Sequence, residues 1–383
     1  MVGSVYVVYT AKPISNQWRY DLMLAEPQQS TTGPSGDFLE RTVQKMCSNR
    51  SVFGAIMRVE NGSGTLCWSG ACGNLETENR YFIASVTKLY VSAVLLQLRH
   101  EGAIGLDDPM SKYLPSDLIA GLHVLDGTDR TGQITIRHLM SNTSGITDYF
   151  FGKGPDGKAA AGALFAGQDE AWPLERIVDR VRTLKPRFLP GQPGKVHYSD
   201  TNYELLGRII ETVTGKPVAA VFRERIFDTL GLADSYAFTD PEDTSVKPMY
   251  YKNSPVHVPR YIASIPPEGG IVSTASDVMR FLKAFFAGRF FPVAAIEELK
   301  QWNRIWFPGQ FDFGVGLENQ LIPWIFSPFH PIGELLGFWG QSGAFAFYNP
   351  PRDLYFTGTV NQLSGFGHSA AVAAMVRILR HSG

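Results

Sequence analysis

Ser85 and Lys88 place a hydroxyl nucleophile and an amine three residues apart, where a run of apolar residues with helical spacing begins. Residues i and i+3 lie on the same face of a helix, so the amine can reach the hydroxyl. A buried lysine can act as a base because desolvation lowers its pKa. The pair could therefore make Ser85 an activated nucleophile. The spacing also arises by chance, and the alternative is a surface serine beside a solvated lysine.

Tyr198 is a second candidate, in the triplet Tyr198-Ser199-Asp200 immediately before a predicted helix. A phenol at this point could lie beside Ser85 and relay a proton to a leaving group. Lys88 could supply the cation that such a phenol needs to lower its pKa. The alternative is a tyrosine that anchors the start of the helix, with Asp200 as a helix-terminal carboxylate.

A third candidate is the segment Trp339-Gly340-Gln341-Ser342-Gly343-Ala344, which leads into a predicted strand. Glycines on both sides of a polar residue let backbone N–H groups approach a substrate closely. One such N–H, together with the N–H of Ser85 at its helix N-terminus, could form an oxyanion hole. The alternative is an ordinary turn before an edge strand.

The elements that must position these residues follow from local patterns. Strand-like runs at residues 52–60 and 65–71 flank Asn61-Gly62-Ser63-Gly64, which is typical of a hairpin. A second hairpin is predicted from residues 344–348 and 354–360. Helices are predicted over residues 37–48, 85–102, 201–214 and 369–381, and the third has a capping-box pattern from Thr201 to Glu204. Strands at both ends around a helical middle indicate an α/β unit with a helical insertion.

The overall composition is that of a folded protein. The 383 residues are 44% hydrophobic and 19% charged, and the net charge of −1 gives no electrostatic case for nucleic acid or an anionic membrane surface. No apolar run is long enough to span a bilayer. Residues 1–9 lack a basic region and a cleavage site, so we expect no secretory signal and a cytoplasmic location.

The cysteines are Cys47, Cys67 and Cys72. An odd number without metal-ligand spacing predicts free and mostly buried thiols. A disulfide between Cys67 and Cys72 is the alternative.

Together these segments resemble the serine β-lactamase-like superfamily, and within it the class C β-lactamases, D-alanyl-D-alanine carboxypeptidases and family VIII-type esterases. Ser85–Lys88 matches the S-x-x-K motif and Tyr198-Ser199-Asp200 matches Y-x-N. Gln341-Ser342-Gly343 falls where the family has K-T-G or H-x-G. Residues 136–145 and 269–277 also read like family segments, in the same order. The resemblance covers about residues 50–380.

The resemblance implies an α/β (α+β) fold, with an antiparallel sheet flanked by helices. A discontinuous α/β domain (1–105 and 265–383) would hold a mostly helical domain (106–264), with the active site between them. It also implies an acyl-enzyme mechanism. Ser85 would attack a carbonyl, Lys88 and Tyr198 would shuttle the proton, and the N–H groups of Ser85 and Ala344 would hold the oxyanion. No metal or organic cofactor is needed.

Two positions among the expected substrate-binding residues depart from the family pattern. That set consists of Asp200, Gln341, Ser342 and Gly343. Asp200 replaces the usual asparagine, and a carboxylate near Lys88 favours the protonated lysine. Gln341 replaces a lysine or histidine that would bind a substrate carboxylate, so a neutral ester or amide fits better.

The sequence therefore predicts a serine hydrolase, with a small-molecule ester as its substrate and a carboxylesterase activity. The alternatives are a β-lactamase, a D-amino-acid peptidase or amidase, an acyltransferase, and a non-enzymatic sensor that binds acyl ligands. The oligomeric state is left open. The aromatic residues Trp302, Trp306, Phe307, Phe311 and Phe313 belong either to the core or to an apolar acyl pocket.

Overall fold

The computed structural model describes residues 33–48, 51–305, 311–324, 327, 331–363 and 365–382. Its centre is an eight-stranded antiparallel sheet. The strands are β1 (Gly54–Asn61), β2 (Cys67–Gly73), β10 (Asn303–Ile305), β11 (Phe311–Phe313), β12 (Glu318–Gln320), β13 (Leu336–Trp339), β14 (Ala344–Asn349) and β15 (Leu354–Thr359). Their order across the sheet is β10-β11-β12-β13-β14-β15-β1-β2. The predicted fold class is confirmed, and so are both predicted hairpins, β1–β2 and β14–β15.

Among the described residues, short strands form three small sheets outside the large one. β3 (Tyr81–Phe82), β9 (Ile271–Ser273) and β6 (Tyr236–Ala237) form one; β4 (Val124–Leu125) pairs with β5 (Thr128–Asp129), and β7 (Met249–Tyr251) with β8 (Ser254–Val256). The strand β3 ends directly before the segment that carries Ser85. Between them, Ile83 N–H donates to the carbonyl of Ile271 in β9 at 3.0 Å. The end of β3 is thereby tied to residues 266–273.

Helices cover both faces of the large sheet. The α-helices are α1 (Gly36–Met46), α2 (Thr87–His100), α3 (Ser116–Ile119), α4 (Ile136–Met140), α5 (Ala160–Phe165), α6 (Leu174–Arg182), α7 (Asp200–Thr214), α8 (Val218–Phe222), α9 (Asp228–Leu230), α10 (Pro259–Ala263), α11 (Pro266–Gly269), α12 (Ala275–Phe286), α13 (Ala295–Leu299) and α14 (Gly365–His381). Single 3-10 turns lie at Ala84–Val86, Met110–Lys112, Thr131–Gln133 and Pro350–Arg352, and a π-turn at Arg223–Phe227.

Two apolar clusters hold these layers together. On one face of the sheet, α1 and α14 bury side chains such as Leu39 and Ile378 against Phe345 and Phe356. On the other face, α12 and α2 join the sheet to the helices of the middle segment in one continuous core. The sheet strands come from residues 54–73 and 303–359, whereas residues 106–264 contribute helices and short strands. The domain boundaries at 105 and 265 stay a prediction.

The cysteine prediction is wrong. Cys47, at the end of α1, forms a disulfide with Cys72 in β2, and Cys67 is an exposed free cysteine. The antiparallel register of β2 turns Cys72 toward α1. The alternative pairing of Cys67 with Cys72 is also wrong, because five steps along one strand separate two residues by about 16 Å and place them on opposite faces.

The capping-box prediction at Thr201 is also wrong. The helix α7 begins one residue earlier, after Ser199, whose side chain makes no capping hydrogen bond. Instead, Asp200 N–H donates to Asp148 Oδ1 at 3.0 Å, and Tyr149 N–H donates to Thr201 Oγ1 at 3.1 Å. The polar side chains at this helix start face a buried site, so they bind residues far away in sequence instead of capping their own helix.

Candidate active site

Ser85 lies in the 3-10 turn Ala84–Val86 that leads into α2. The residue before it, Ala84, has a backbone φ of +45°. A non-glycine residue in this region is strained by on the order of 1–3 kcal/mol and persists only where surrounding packing fixes it. The turn is fixed from one side by Gly340, where a Cβ atom would lie 2.3 Å from the carbonyl oxygen of Ile83. This close approach brings the end of β13 against the nucleophile's turn.

Lys88 is fully buried beneath Ser85 and makes three polar contacts. Its Nζ donates to Ser85 Oγ at 2.8 Å and to the carbonyl oxygen of Glu268 at 2.7 Å. It also forms an ion pair with Asp200 Oδ1 at 2.7 Å. Two hydrogen bonds and one ion pair therefore hold the Lys88 side chain in place. The predicted contact between Lys88 and Ser85 is present in the structure.

Tyr198 completes the polar group around the serine. Its hydroxyl donates to Ser85 Oγ at 2.9 Å, and the Lys88 Nζ lies 5.3 Å from the centre of its ring. Phe313 packs edge-on against the same ring, with 5.9 Å between ring centres. Ser85, Lys88 and Tyr198 are therefore brought together as predicted, and their catalytic roles stay predictions.

Phe313 and Phe311 are buried in the core that includes this site, and Trp302 is half-buried against it. Trp306 and Phe307 lie outside the described residues. Phe313 fits the core interpretation, since it is fully buried and packs on Tyr198, and the acyl-pocket interpretation stays a prediction.

The turn between β13 and β14 carries the remaining predicted residues. Ser342 is buried, and its hydroxyl donates to the carbonyl of Phe82 at 2.6 Å and accepts from Ala344 N–H at 3.4 Å. Gly343 donates to the carbonyl of Gly340 at 2.9 Å, and Gln341 is half-buried. Ser342 thus ties the turn to the chain just before Ser85. The substrate and oxyanion roles of these residues stay predictions.

Asp200 was expected to bind substrate, and the structure places its carboxylate on Lys88. Four further carboxyl groups are buried nearby, on Asp148, Glu204, Glu268 and Glu318. Burial raises the pKa of Asp148 to about 7, with a further rise from the charge of Asp200. Burial also raises the pKa of Glu318 to about 8, and those of Glu204 and Glu268 well above the usual range. Asp200 is the carboxylate that forms an ion pair with Lys88, at 2.7 Å.

Glu268 and Glu318 were not identified from the sequence. Glu318 lies in β12 and accepts a hydrogen bond from Trp339 N–H at 3.0 Å. Glu268 lies one residue before the family-like segment 269–277, and this position was the signal by which it could have been identified. An acidic residue in a glycine- and proline-rich stretch is expected to be exposed, so its burial was not predicted.

Replacing Glu318 by glutamine is expected to change how stability depends on pH. The folded protein keeps a proton on Glu318 up to about pH 8, whereas the unfolded chain loses it near pH 4.5. This group's stabilising contribution is therefore complete below pH 4.5 and is lost as the pH rises toward 8. The loss from pH 5 to pH 8 is roughly 3–4 kcal/mol. Urea unfolding of parent and variant at both pH values measures it, and an equal pH dependence in the two proteins would contradict it.

Neither a metal centre nor a membrane span is apparent in the part of the chain that the structure describes. Within it, no three or more His, Cys, Asp and Glu side chains are grouped so that they could hold a metal ion. None of the helices described is both long and apolar enough to cross a bilayer.

Comparison with known sequences assigns the chain to a family. The family model "Beta-lactamase" matches residues 39–378, so the chain belongs to the Beta-lactamase family, a family of serine hydrolases. The chain is 30% identical over 210 residues to the D-alanyl-D-alanine-carboxypeptidase/endopeptidase AmpH of Escherichia coli (strain K12). That match covers 55% of this chain and 49% of AmpH, so the chain spans about half the length of the curated relatives it matches.

Solved structures give matches over nearly the whole chain. A D-stereospecific amidohydrolase from Streptomyces sp. is 27% identical with a TM-score of 0.72, and the match covers 89% of this chain and 98% of that one. EstCE1, described as a hydrolase with promiscuous acyltransferase activity, matches with a TM-score of 0.73. That match covers 96% of this chain and 100% of the EstCE1 chain. At 19% identity, EstCE1 supports the fold alone.

Proposed function

We propose that this protein hydrolyses neutral carboxylic esters through an acyl-enzyme on Ser85. The observation that carries the proposal is the position of Ser85 Oγ, which lies 2.8 Å from Lys88 Nζ and 2.9 Å from the Tyr198 hydroxyl. A serine in contact with two proton-transfer groups is typical of an activated nucleophile. The buried, paired lysine favours catalysis over a surface role.

In the proposed reaction, Ser85 Oγ attacks the carbonyl carbon of the ester. The serine proton moves to the Tyr198 oxygen as the Tyr198 proton moves to the oxygen of the leaving group, while the Lys88 ammonium stabilises the charge that develops between them. The ester C–O bond breaks, and an alcohol leaves. Water then attacks the acyl-enzyme, the acid is released, and the proton from water restores the Ser85 hydroxyl. The N–H groups of Ser85 and Ala344 would stabilise the oxyanion in both steps.

The preference for neutral substrates follows from charge. Lys88 is balanced by Asp200 at 2.7 Å, and Gln341 supplies no cation beside the site. A substrate carboxylate would therefore lose hydration without gaining an ionic partner. The substrate class proposed is a neutral ester with a small-molecule acyl group.

Replacing Gln341 by lysine is expected to improve substrates that carry a carboxylate. A charge-assisted hydrogen bond contributes about 1.5–3 kcal/mol, so kcat/KM for a chromogenic cephalosporin should rise about tenfold or more. The kcat/KM for p-nitrophenyl butyrate, which has no carboxylate, should change less than about twofold, and it serves as the internal control. An unchanged kcat/KM for the cephalosporin would contradict the proposed role of Gln341.

A second candidate is amide hydrolysis, which the similarity to the D-stereospecific amidohydrolase over 98% of that chain favours. Parallel assays with p-nitrophenyl esters, D- and L-amino-acid p-nitroanilides and a chromogenic cephalosporin separate the candidates. Turnover of esters alone supports the proposal. Faster turnover of D-amino-acid anilides indicates an amidase instead of an esterase. Faster turnover of the cephalosporin indicates a β-lactamase. Product formation only with an added alcohol acceptor indicates an acyltransferase, and labelling of Ser85 without turnover indicates a sensor.

A further inference from the structure

The helix α11 (Pro266–Gly269) is wedged beside the nucleophile. The carbonyl of Glu268 accepts one of the two hydrogen bonds of Lys88 Nζ, at 2.7 Å. On the opposite side α11 packs tightly on α7, where a Cβ atom at Gly207 would lie 2.5 Å from Pro267 Cγ. The helix also contacts α2 and the turn of Ser85. The position of this short helix therefore sets one of the two hydrogen-bond acceptors that orient Lys88.

The Glu268 side chain is buried and bonded to two tyrosines. Its Oε1 accepts from the hydroxyl of Tyr149 at 2.6 Å and from that of Tyr261 at 3.1 Å, and these hydroxyls are 3.0 Å apart. Both tyrosines are also buried, and both belong to the middle segment, residues 106–264. The three side chains thus join this segment to α11 through two hydrogen bonds to one carboxyl oxygen.

The charges around Glu268 favour its neutral form. Burial raises its pKa well above the usual range, and the charges of Asp200 and Glu204 raise it further, while Lys88 and Tyr149 oppose the rise. A neutral carboxyl keeps its acceptor oxygen for the tyrosines and adds no charge beside the Lys88–Asp200 pair. Glutamine has the same shape and the same acceptor, so it can replace this form.

We propose that the Glu268 side chain is a positioning residue for the nucleophile: by binding Tyr149 and Tyr261 it holds the Glu268 carbonyl against Lys88. This inference rests on the proposed function of Ser85. Without the side-chain bonds, α11 is free to shift, Lys88 loses one acceptor, and its contact with Ser85 Oγ loosens. The hydrogen bonds of the Glu268 side chain go to Tyr149 and Tyr261, so we expect its effect on the rate of acylation and not on substrate binding.

The test compares Glu268→Leu, which removes the acceptor, with Glu268→Gln, which keeps it. A loss of position near 1 Å lowers rates by about 10²-fold, so Glu268→Leu should lower kcat for p-nitrophenyl butyrate ten- to a hundredfold, with KM within about twofold. Glu268→Gln should keep kcat within about threefold. The double variant Tyr149→Phe/Tyr261→Phe should fall between the two, and it decides the question if Glu268→Leu does not fold.

Tyr81→Phe is the matched control, because Tyr81 is equally buried and its hydroxyl has no hydrogen-bond partner among the residues that the structure describes. Its kcat should equal that of the parent. An unchanged kcat in Glu268→Leu and in the double tyrosine variant overturns the inference, and so does an equal loss in Glu268→Gln and Glu268→Leu.

The rate of covalent labelling of Ser85 by a fluorophosphonate is measured on every variant. If the parent hydrolyses no ester or amide, the proposed function fails, and the labelling rates alone test Glu268. A slower labelling of Glu268→Leu, restored in Glu268→Gln, then supports its positioning role, and equal rates overturn that role.

Discussion

Replacing Ser85 by alanine is expected to lower kcat/KM for p-nitrophenyl butyrate by about 10⁴-fold or more. Removing the nucleophile of a serine hydrolase costs up to about 10⁶-fold, with the residual rate coming from binding and the oxyanion site. The variant leaves Lys88 paired with Asp200 at 2.7 Å and with the Glu268 carbonyl. Its stability should therefore stay close to that of the parent, so a loss of activity reports chemistry and not folding.

The measurement is initial-rate kinetics of parent and variant, with thermal unfolding of both. Ser63→Ala is the matched control, because Ser63 is an exposed serine in the loop between β1 and β2. That control should keep the full rate. If Ser85→Ala hydrolysed the ester at the parental rate, Ser85 would not be the nucleophile and the proposed mechanism would be wrong.

Replacing Lys88 by methionine is expected to affect both activity and stability. The kcat should fall by about 10³-fold, because Lys88 supports proton transfer through Tyr198, and such transfer contributes about 10²–10⁴-fold. The free energy of unfolding should fall by about 3–5 kcal/mol, because the change leaves the Asp200 carboxylate buried without its ionic partner. The size of the second effect follows from the burial of Lys88, whose side chain is 0% exposed.

A double-mutant cycle with Asp200→Asn separates the two effects. Asparagine removes the charge that Lys88→Met leaves unpaired, so the double variant should recover most of the lost stability while its kcat stays low. Urea unfolding gives the coupling free energy, and ester kinetics gives the activity. A double variant no more stable than Lys88→Met would contradict the ion pair between these residues. Recovery of kcat in the double variant would contradict a role for Lys88 in proton transfer.

The parts of the fold set by local pattern were predicted well. The alternation of strands and the turn residues gave the hairpins β1–β2 and β14–β15, because both strands of a hairpin and its turn are adjacent in sequence. The start of the helix after Ser85 was located by the onset of apolar periodicity. The order of strands across the large sheet was not predicted, since β1 pairs with β15 across nearly 300 residues.

In the candidate site, too, residues in local motifs were predicted and residues joined by long-range packing were not. Ser85, Lys88 and Tyr198 were identified because each lies in a short motif. Glu268, Tyr149 and Tyr261 were missed because long-range packing brings them together and no local spacing marks them. The capping-box and cysteine predictions failed for a related reason. Tertiary structure places Thr201 against Tyr149 and Cys72 against Cys47, and these long-range contacts outweigh the local sequence patterns.

The central claim is that Ser85 carries the acyl group during turnover. Its most direct test is intact-protein mass spectrometry after rapid mixing with a p-nitrophenyl ester and acid quenching, followed by peptide mapping. We expect a mass increase equal to one acyl group, located on Ser85 and absent from Ser85→Ala. An acyl group on another residue would contradict the claim. Steady hydrolysis that forms no adduct on Ser85, and that continues after a fluorophosphonate has blocked Ser85, would contradict it as well.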